Sequence, residues 1–309
     1  MAEAFRASVR LRRVARQLRQ WRDAAGRKGQ DIAPQLRWSP AKLSKIENAA
    51  QPISPVDVIA LALIYGVSDA ERDQLFQDAV AAQERQWWED YNTEALVQVA
   101  YDFVEQEAEA SRLSTFKTDL IPGLLQTHSY AEALALADLP KVSEEIAKQR
   151  AEVRTARQAR IGGENPLRFE AVIGEAALRQ VVGGPAVMLG QLERLLEVAA
   201  LDNVLIQVVP FSAGAFPAIG SPFTVLSFDQ DHYQDTAYVE NLIYGFYLEE
   251  QASVERYKLS FAGLQEAALD SDRSIEKITE IAGGLRASMR EPRDAHPGSV
   301  GSVMAQEQP

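Results

Sequence analysis

Leu11, Val14, Ala15, Leu18 and Trp21 recur at steps of three and four, while Arg10, Arg12, Arg13, Arg16, Arg19 and Arg22 fill the positions between them. That is the period of an amphipathic helix, expected to end near Gly26. From Gln30 to Leu36 the residues Ile32, Ala33 and Leu36 share one side, which predicts a short second helix with small Ala33 where a neighbour approaches closely. Arg37-Trp38-Ser39 then turns the chain. Ser39-Pro40 reads as an N-cap followed by proline at the first helical position, where the missing N–H costs nothing. In the third helix Leu43 and Ile46 point inward together, which leaves Ala41, Lys42, Ser44, Lys45 and Asn48 on the outer face or its edges. Ser54-Pro55-Val56-Asp57 starts a fourth helix and the capping box Ser68-Asp69-Ala70-Glu71 a fifth. These five close a bundle over residues 1–85.

The texture changes from Trp87 onward. Thr127 to Leu139 and Val142 to Arg160 read as helices, the second stopped by Gly162-Gly163-Glu164-Asn165-Pro166. Leu167 to Val172 alternates as a strand, Pro185 to Leu201 returns to helix, and Asn203 to Val209 is an apolar strand ended by Pro210. Phe223 to Phe228 and Thr236 to Val239 add strands; Glu250 to Leu269 and Ser271 to Leu285 add helices. The predicted class is α+β overall, an all-α five-helix bundle followed by a larger mixed α/β domain over residues 86–287, α/β proper if its sheet is largely parallel. Residues 288–309 lack a core pattern and are expected to form a disordered tail.

Composition narrows the chemistry. A chain of 309 residues with 46% hydrophobic residues is long enough for two cores. It has no cysteine, which excludes disulfides, thiolate nucleophiles and cysteine-held metals. The histidines, His128, His232 and His296, form no spaced ligand pair, so no metal site is expected. The runs Val56 to Val67 and Val204 to Val209 fall short of the roughly 20 residues that span a bilayer, and the N-terminus lacks a secretory apolar region. A soluble, cytoplasmic protein with no membrane partner is expected. No Gly-rich phosphate loop, Gly-x-Ser-x-Gly elbow or His-x-Glu motif is present, so neither catalysis nor a cofactor is expected.

A net charge of −12 argues against a nucleic-acid binder only if the chain is one body. Residues 1–50 hold twelve Lys or Arg against four Asp or Glu, a balance of +8, so the other 259 residues carry −20. Such asymmetry is the footprint of a basic DNA-facing arm on an acidic body; a solvated basic helix is the plainer alternative. On the outer face of the third helix, Lys42 and Lys45 reach guanine acceptors or phosphates, and Pro40 and Ala41 meet thymine methyls. Ser39, Ser44 and Asn48 donate to backbone oxygens or base edges. Arg37 completes the DNA-facing set.

The spacing from Gly26 to Glu47, the string Trp38 to Asn48 and Leu63-Ile64-Tyr65-Gly66-Val67 resemble the XRE-type, lambda-repressor-like helix-turn-helix regulators, most closely their actinomycete branch. The resemblance implies a recognition helix in the major groove with Pro40, Ala41, Lys42 and Lys45 at base edges. It also implies a homodimer on double-stranded DNA with half-sites about one helical turn apart. Two positions depart from the pattern. Gly29 stands where relatives usually carry a phosphate-anchoring glutamine, leaving Lys28 and Arg27 as substitutes. Pro34 falls inside the second helix, where proline costs about 3 kcal/mol, so that helix is expected to begin late, near Asp31, or to kink. A helix-turn-helix without DNA contact also occurs in protein-interaction modules.

The resemblance continues beyond the bundle. Trp87-Trp88-Glu89-Asp90-Tyr91, Glu107 to Ala110, Ile121-Pro122-Gly123-Leu124-Leu125-Gln126-Thr127, Glu175 to Arg179, Gln191-Leu192, Val208-Val209-Pro210 and Tyr238-Val239-Glu240 are similar to the domain of unknown function attached to those regulators. Gly174 departs, since relatives often place an aspartate before Glu175. Trp87, Trp88 and Tyr91, with Phe211, Phe216, Phe223, Tyr244, Phe246 and Tyr247, line a ligand pocket or simply form core; Gln126 and Glu240 are polar anchors for a small-molecule effector, or capping and solvated residues. Because relatives are often encoded beside a small protein, the resemblance also allows an antitoxin-like module that binds a small partner protein and autoregulates through the bundle, the −20 body suiting a basic partner.

Overall fold

The computed structural model describes residues 5–91, 98–139, 141–163, 165–230, 233–242 and 244–290. Its first five helices are α1 (Val9–Ala24), α2 (Gly29–Ile32), α3 (Pro40–Glu47), α4 (Pro55–Tyr65) and α5 (Asp69–Ala81). Each helix start predicted from a serine is capped: Ser39 accepts from Lys42 N, Ser54 from Val56 N, and Ser68 and Glu71 form the reciprocal box. Leu11, Val14, Leu18, Ile32, Leu43, Ile46 and Leu61 meet in one core. The second helix begins at Gly29 rather than near Asp31. It then tightens into a 3-10 turn over Ala33–Leu36 with Pro34 in its first turn, so the kink is a change of helix type at the residue without an N–H.

The larger unit contains α6 (Gln98–Glu109), β1 (Arg112–Lys117), α7 (His128–Ala137), α8 (Glu144–Arg157), β2 (Arg168–Gly174), α9 (Glu175–Arg179), α10 (Pro185–Val198), β3 (Val204–Val209), β4 (Phe223–Ser227), β5 (Thr236–Glu240), β6 (Gly245–Leu248), α11 (Gln251–Ala267) and α12 (Ser271–Arg290). The sheet order is β3-β2-β1-β4-β5-β6. β1, β2 and β3 are parallel, while β4, β5 and β6 add antiparallel to β1, so the sheet is mixed. Leu113, Phe169, Ala171, Ile206 and Leu226 share a core with Leu192 and Leu195 of α10 and Ile278 of α12. On the opposite face Phe116, Val172, Phe223 and Val225 pack on Val254, Phe261 and Leu264 of α11. Helices thus cover both faces. α12 runs to Arg290, three residues into the expected tail; positions 291–309 lie outside the described residues. Among the described residues, no helix is long and apolar enough to cross a membrane.

At Gly174 a Cβ would sit 2.7 Å from the Thr118 carbonyl oxygen. The glycine that departs from the family pattern therefore lets the chain after β1 come close to the end of β2, and α9 has no side-chain cap.

The bundle is seated on the larger unit by Arg6 and the arginines in the first half of α1. Arg6 and Arg12 pair with Asp102 at 2.6 and 2.7 Å, Arg10 and Arg13 both pair with Glu109, and Arg16 reaches Glu249 at 2.6 Å. Buried Glu105 accepts the backbone N–H groups of Val9 and Arg10, each at 2.8 Å. With Ser8 taking Leu11 N, the orphan donors of the first turn of α1 are satisfied, partly from outside the bundle.

Candidate nucleic-acid interface

The α1 pairs change the meaning of the basic N-terminal segment. Five of its cations, Arg6, Arg10, Arg12, Arg13 and Arg16, face carboxylates of the larger unit. Arg22 pairs with Glu47 at 2.8 Å and ties α1 to the end of α3. Its hydrogen bond to Glu47 raises the guanidinium pKa, against the pull of burial. Tyr65 also donates to Glu47, at 3.3 Å, and burial followed by that carboxylate pushes the phenol above its ordinary range. The +8 balance is therefore only partly available to an outside partner.

What remains flanks α2 and α3. Arg27, Lys28, Arg37 and Lys45 are exposed and make no ion pair among the described residues. Pro40, Ala41, Ser44, Lys45 and Asn48 are exposed on α3, while Leu43 and Ile46 are buried beneath them. Arg37 occupies the left-handed region at φ 55, a conformation costing a residue with a Cβ roughly 1–2 kcal/mol. Lys42 is more constrained than its neighbours. Its side chain is 37% exposed, and its Nζ lies 3.8 Å above the Trp38 ring and 4.0 Å from Asp57. Asn48 donates from its amide to the Ser44 carbonyl at 2.7 Å, so that nitrogen caps the helix end. Gly29 lies near Leu43, and a Cβ there would meet Leu43 Cδ2 at 3.5 Å, ordinary contact. The role of Trp38 as a platform for Lys42 is not legible in the sequence, because a four-residue spacing across a turn is no signal by itself.

The expected ligand residues separate. Trp88 is buried with Val104 and Val153, Tyr91 packs against them, and Trp87 lies edge-on to both aromatic neighbours. Trp88 and Tyr91 thus belong to a small core, at whose edge Trp87 is exposed. Gln126 and Glu240, in contrast, line a cavity of about 220 Å³ between one sheet face and helices α6 and α8. The cavity also receives Lys117, Arg154, Arg157 and Glu107. Arg157 and Glu107 are joined by two hydrogen bonds of 2.7 Å; burial opposes the Arg157 charge, but the Glu107 carboxylate outweighs it and raises the pKa. Lys117 pairs with Glu240, and although burial opposes the Glu240 charge, Lys117 and the Tyr238 hydroxyl hold its pKa low. The sequence carries no local signal for these cations, because they come from β1 and α8, far apart in the chain, and only packing unites them.

A five-helix bundle with a short, serine-capped, cation-flanked third helix, set on a mixed sheet with helices on both faces, defines a helix-turn-helix protein with a large C-terminal domain. Residues 13–75 match the family described as Helix-turn-helix domain, and residues 100–280 match the Domain of unknown function (DUF5753). The second match spans more than half of the chain, which belongs to the DUF5753 family. No curated protein and no solved structure matches the chain.

Proposed function

We propose that the protein is a sequence-specific transcriptional regulator, XRE-type and of the actinomycete branch, that acts in the cytoplasm as a homodimer with α3 in the major groove and does no catalysis of its own. The observation that supports this most directly is the division of the N-terminal cations. Arg6, Arg10, Arg12, Arg13 and Arg16 are neutralised by the larger unit, whereas Arg27, Lys28, Arg37 and Lys45 around α2 and α3 face solvent without a carboxylate. A helix that displays Pro40, Ala41, Lys42 and Lys45 while anchored by Leu43 and Ile46 suits base-edge contact. Leu242 and Tyr244 before the edge strand β6, and Phe246 within it, are exposed and offer an apolar rim on which a second copy is proposed to pack.

Selection of bound sequences from a random duplex pool supplies the operator. On it, Lys42→Ala and Lys45→Ala are each expected to weaken binding by about 1–3 kcal/mol if the lysine meets a base, or to lower the salt slope by about one if it meets a phosphate. Affinity and salt dependence unchanged in both variants would remove α3 as the recognition helix. Gly29→Gln is expected to act in the opposite direction. The side chain fits beside Leu43 and supplies the phosphate contact that the resemblance expects, a gain of about 0.5–1.5 kcal/mol in binding, together with a helix former better than glycine. Titrating the same operator with this variant checks it, and a loss of affinity would show that the backbone at position 29 itself approaches the DNA. Stoichiometric recovery of a small protein with the full chain would instead favour the partner-binding module.

A further inference from the structure

The cavity between the sheet and α6 and α8 is unbalanced in charge. Three cations enter it, Lys117, Arg154 and Arg157, but the first is matched by Glu240 and the last by Glu107. Arg154 makes no hydrogen bond or ion pair among the described residues. Its side chain is half-buried, and burial together with the charges of Arg157 and Arg150 pulls its pKa down to about 10, against the weaker opposing charges of Glu240 and Asp138. A partly buried guanidinium beside a second guanidinium has a standing cost unless an anion arrives. A second group in the lining also lacks a partner. Gln126 donates its amide to the Ile121 carbonyl at 2.7 Å, and its buried carbonyl oxygen has no donor. Thr115 and Thr224, hydrogen-bonded to each other, also line the wall, and most of the remainder is apolar or aromatic, including Leu113, Leu124, Phe103 and Phe169.

We propose that this cavity is a binding site for a small carboxylate with an apolar body, with Arg154 as its counter-ion and Gln126 Oε1 accepting from a donor on the ligand. One unmatched positive charge calls for one negative charge. A carboxylate supplies that, whereas a phosphate monoester brings about −1.5 to −2 at neutral pH. At about 220 Å³ the space lies below the roughly 300–1,000 Å³ of drug-sized sites, so the ligand is a small metabolite. The site also has a path to the bundle. Helix α6 presents Phe103 and Glu107 to the cavity and Asp102, Glu105 and Glu109 to α1, so a ligand that reorders the Arg157–Glu107 pair acts on the helix that seats the DNA-binding bundle. The signal input of the regulator reading rests on this site. The test below contains no DNA, so a negative result here leaves α3 and its operator standing.

The full chain is melted with benzoate, phenylacetate, hexanoate and 3-phenyllactate, each against its primary amide, and with inorganic phosphate. At least one carboxylate is expected to raise the midpoint by a few degrees where its amide and phosphate do not, with the hydroxy acid 3-phenyllactate ahead of phenylacetate. Arg154→Met is expected to abolish that shift and, without ligand, to melt at or above the parent, because an unmatched buried charge has been removed; Arg154→Lys is expected to retain a reduced shift. Carboxylates no better than their amides, phosphate equal to the carboxylates, a shift that survives Arg154→Met, or an unliganded Arg154→Met protein that melts several degrees low would each overturn the proposal.

Discussion

Arg157→Ala is expected to lose about 3–5 kcal/mol of folding stability, the loss typical of stripping one partner from a buried ion pair. Glu107 is 1% exposed and has both carboxylate oxygens on Arg157 at 2.7 Å. Removing the guanidinium leaves that carboxylate in a site between α6, β1 and the 121–126 segment without the two hydrogen bonds that Arg157 donates to it. Against a total stability of roughly 5–15 kcal/mol, this is a large fraction, and it corresponds to a fall in melting midpoint on the order of 10 °C. The double variant Glu107→Leu with Arg157→Met is expected to recover most of the loss, since an apolar pair of similar volume has no charge to desolvate. Urea denaturation of the parent, the single and the double variants reads both effects. A single variant that costs under about 1 kcal/mol would show that water reaches the pair in solution, because exposed pairs contribute no more than that.

The second large effect is expected at Glu105→Ala. This carboxylate bonds the first two N–H groups of α1 at 2.8 Å each, and hydrogen bonds to a charged group contribute about 1.5–3 kcal/mol apiece. It also places negative charge at the positive end of a 16-residue helix. A loss of roughly 2–5 kcal/mol is expected, concentrated where the bundle meets α6. Glu105→Gln retains one acceptor oxygen and is expected to lose less than half of that. Hydrogen exchange distinguishes this from general destabilisation: the Val9 and Arg10 amides should lose protection before those of the bundle core. Val9 and Arg10 amides equally protected in both proteins would mean that these donors have another partner.

The elements with a strong local signal are where the sequence placed them. Ser39-Pro40, Ser54-Pro55 and Ser68 with Glu71 start their helices as cap chemistry requires, because a cap is made within three residues. The apolar runs of β3 and β4 are similarly self-announcing. β1 is the instructive omission. It is the central strand, pairing with β2 on one side and β4 on the other, yet Arg112-Leu113-Ser114-Thr115-Phe116-Lys117 has no clean alternation of apolar and polar residues. Its polar side chains are satisfied by distant partners: Thr115 with Thr224 at 2.9 Å, Ser114 with Glu170 at 3.0 Å and Lys117 with Glu240. A strand that buries matched polar groups is invisible to a rule that assigns polar residues to water. The same limit hides the cavity, of which only Gln126 and Glu240 are legible as polar anchors.

Taken alone, the amino-acid order determined the five-helix bundle, the capped third helix and the outward side of Lys42 and Lys45, since periodicity and caps act over a few residues. The tertiary structure alone decided which positive charges remain available. Composition counts Arg10 and Lys45 alike, but an arginine of α1 that meets Asp102 or Glu109 far along the chain is neutralised, while Lys45 is not. Charge is a property of sequence, whereas the field a surface presents depends on the distance to counter-charges, and those distances exist only after the chain has folded.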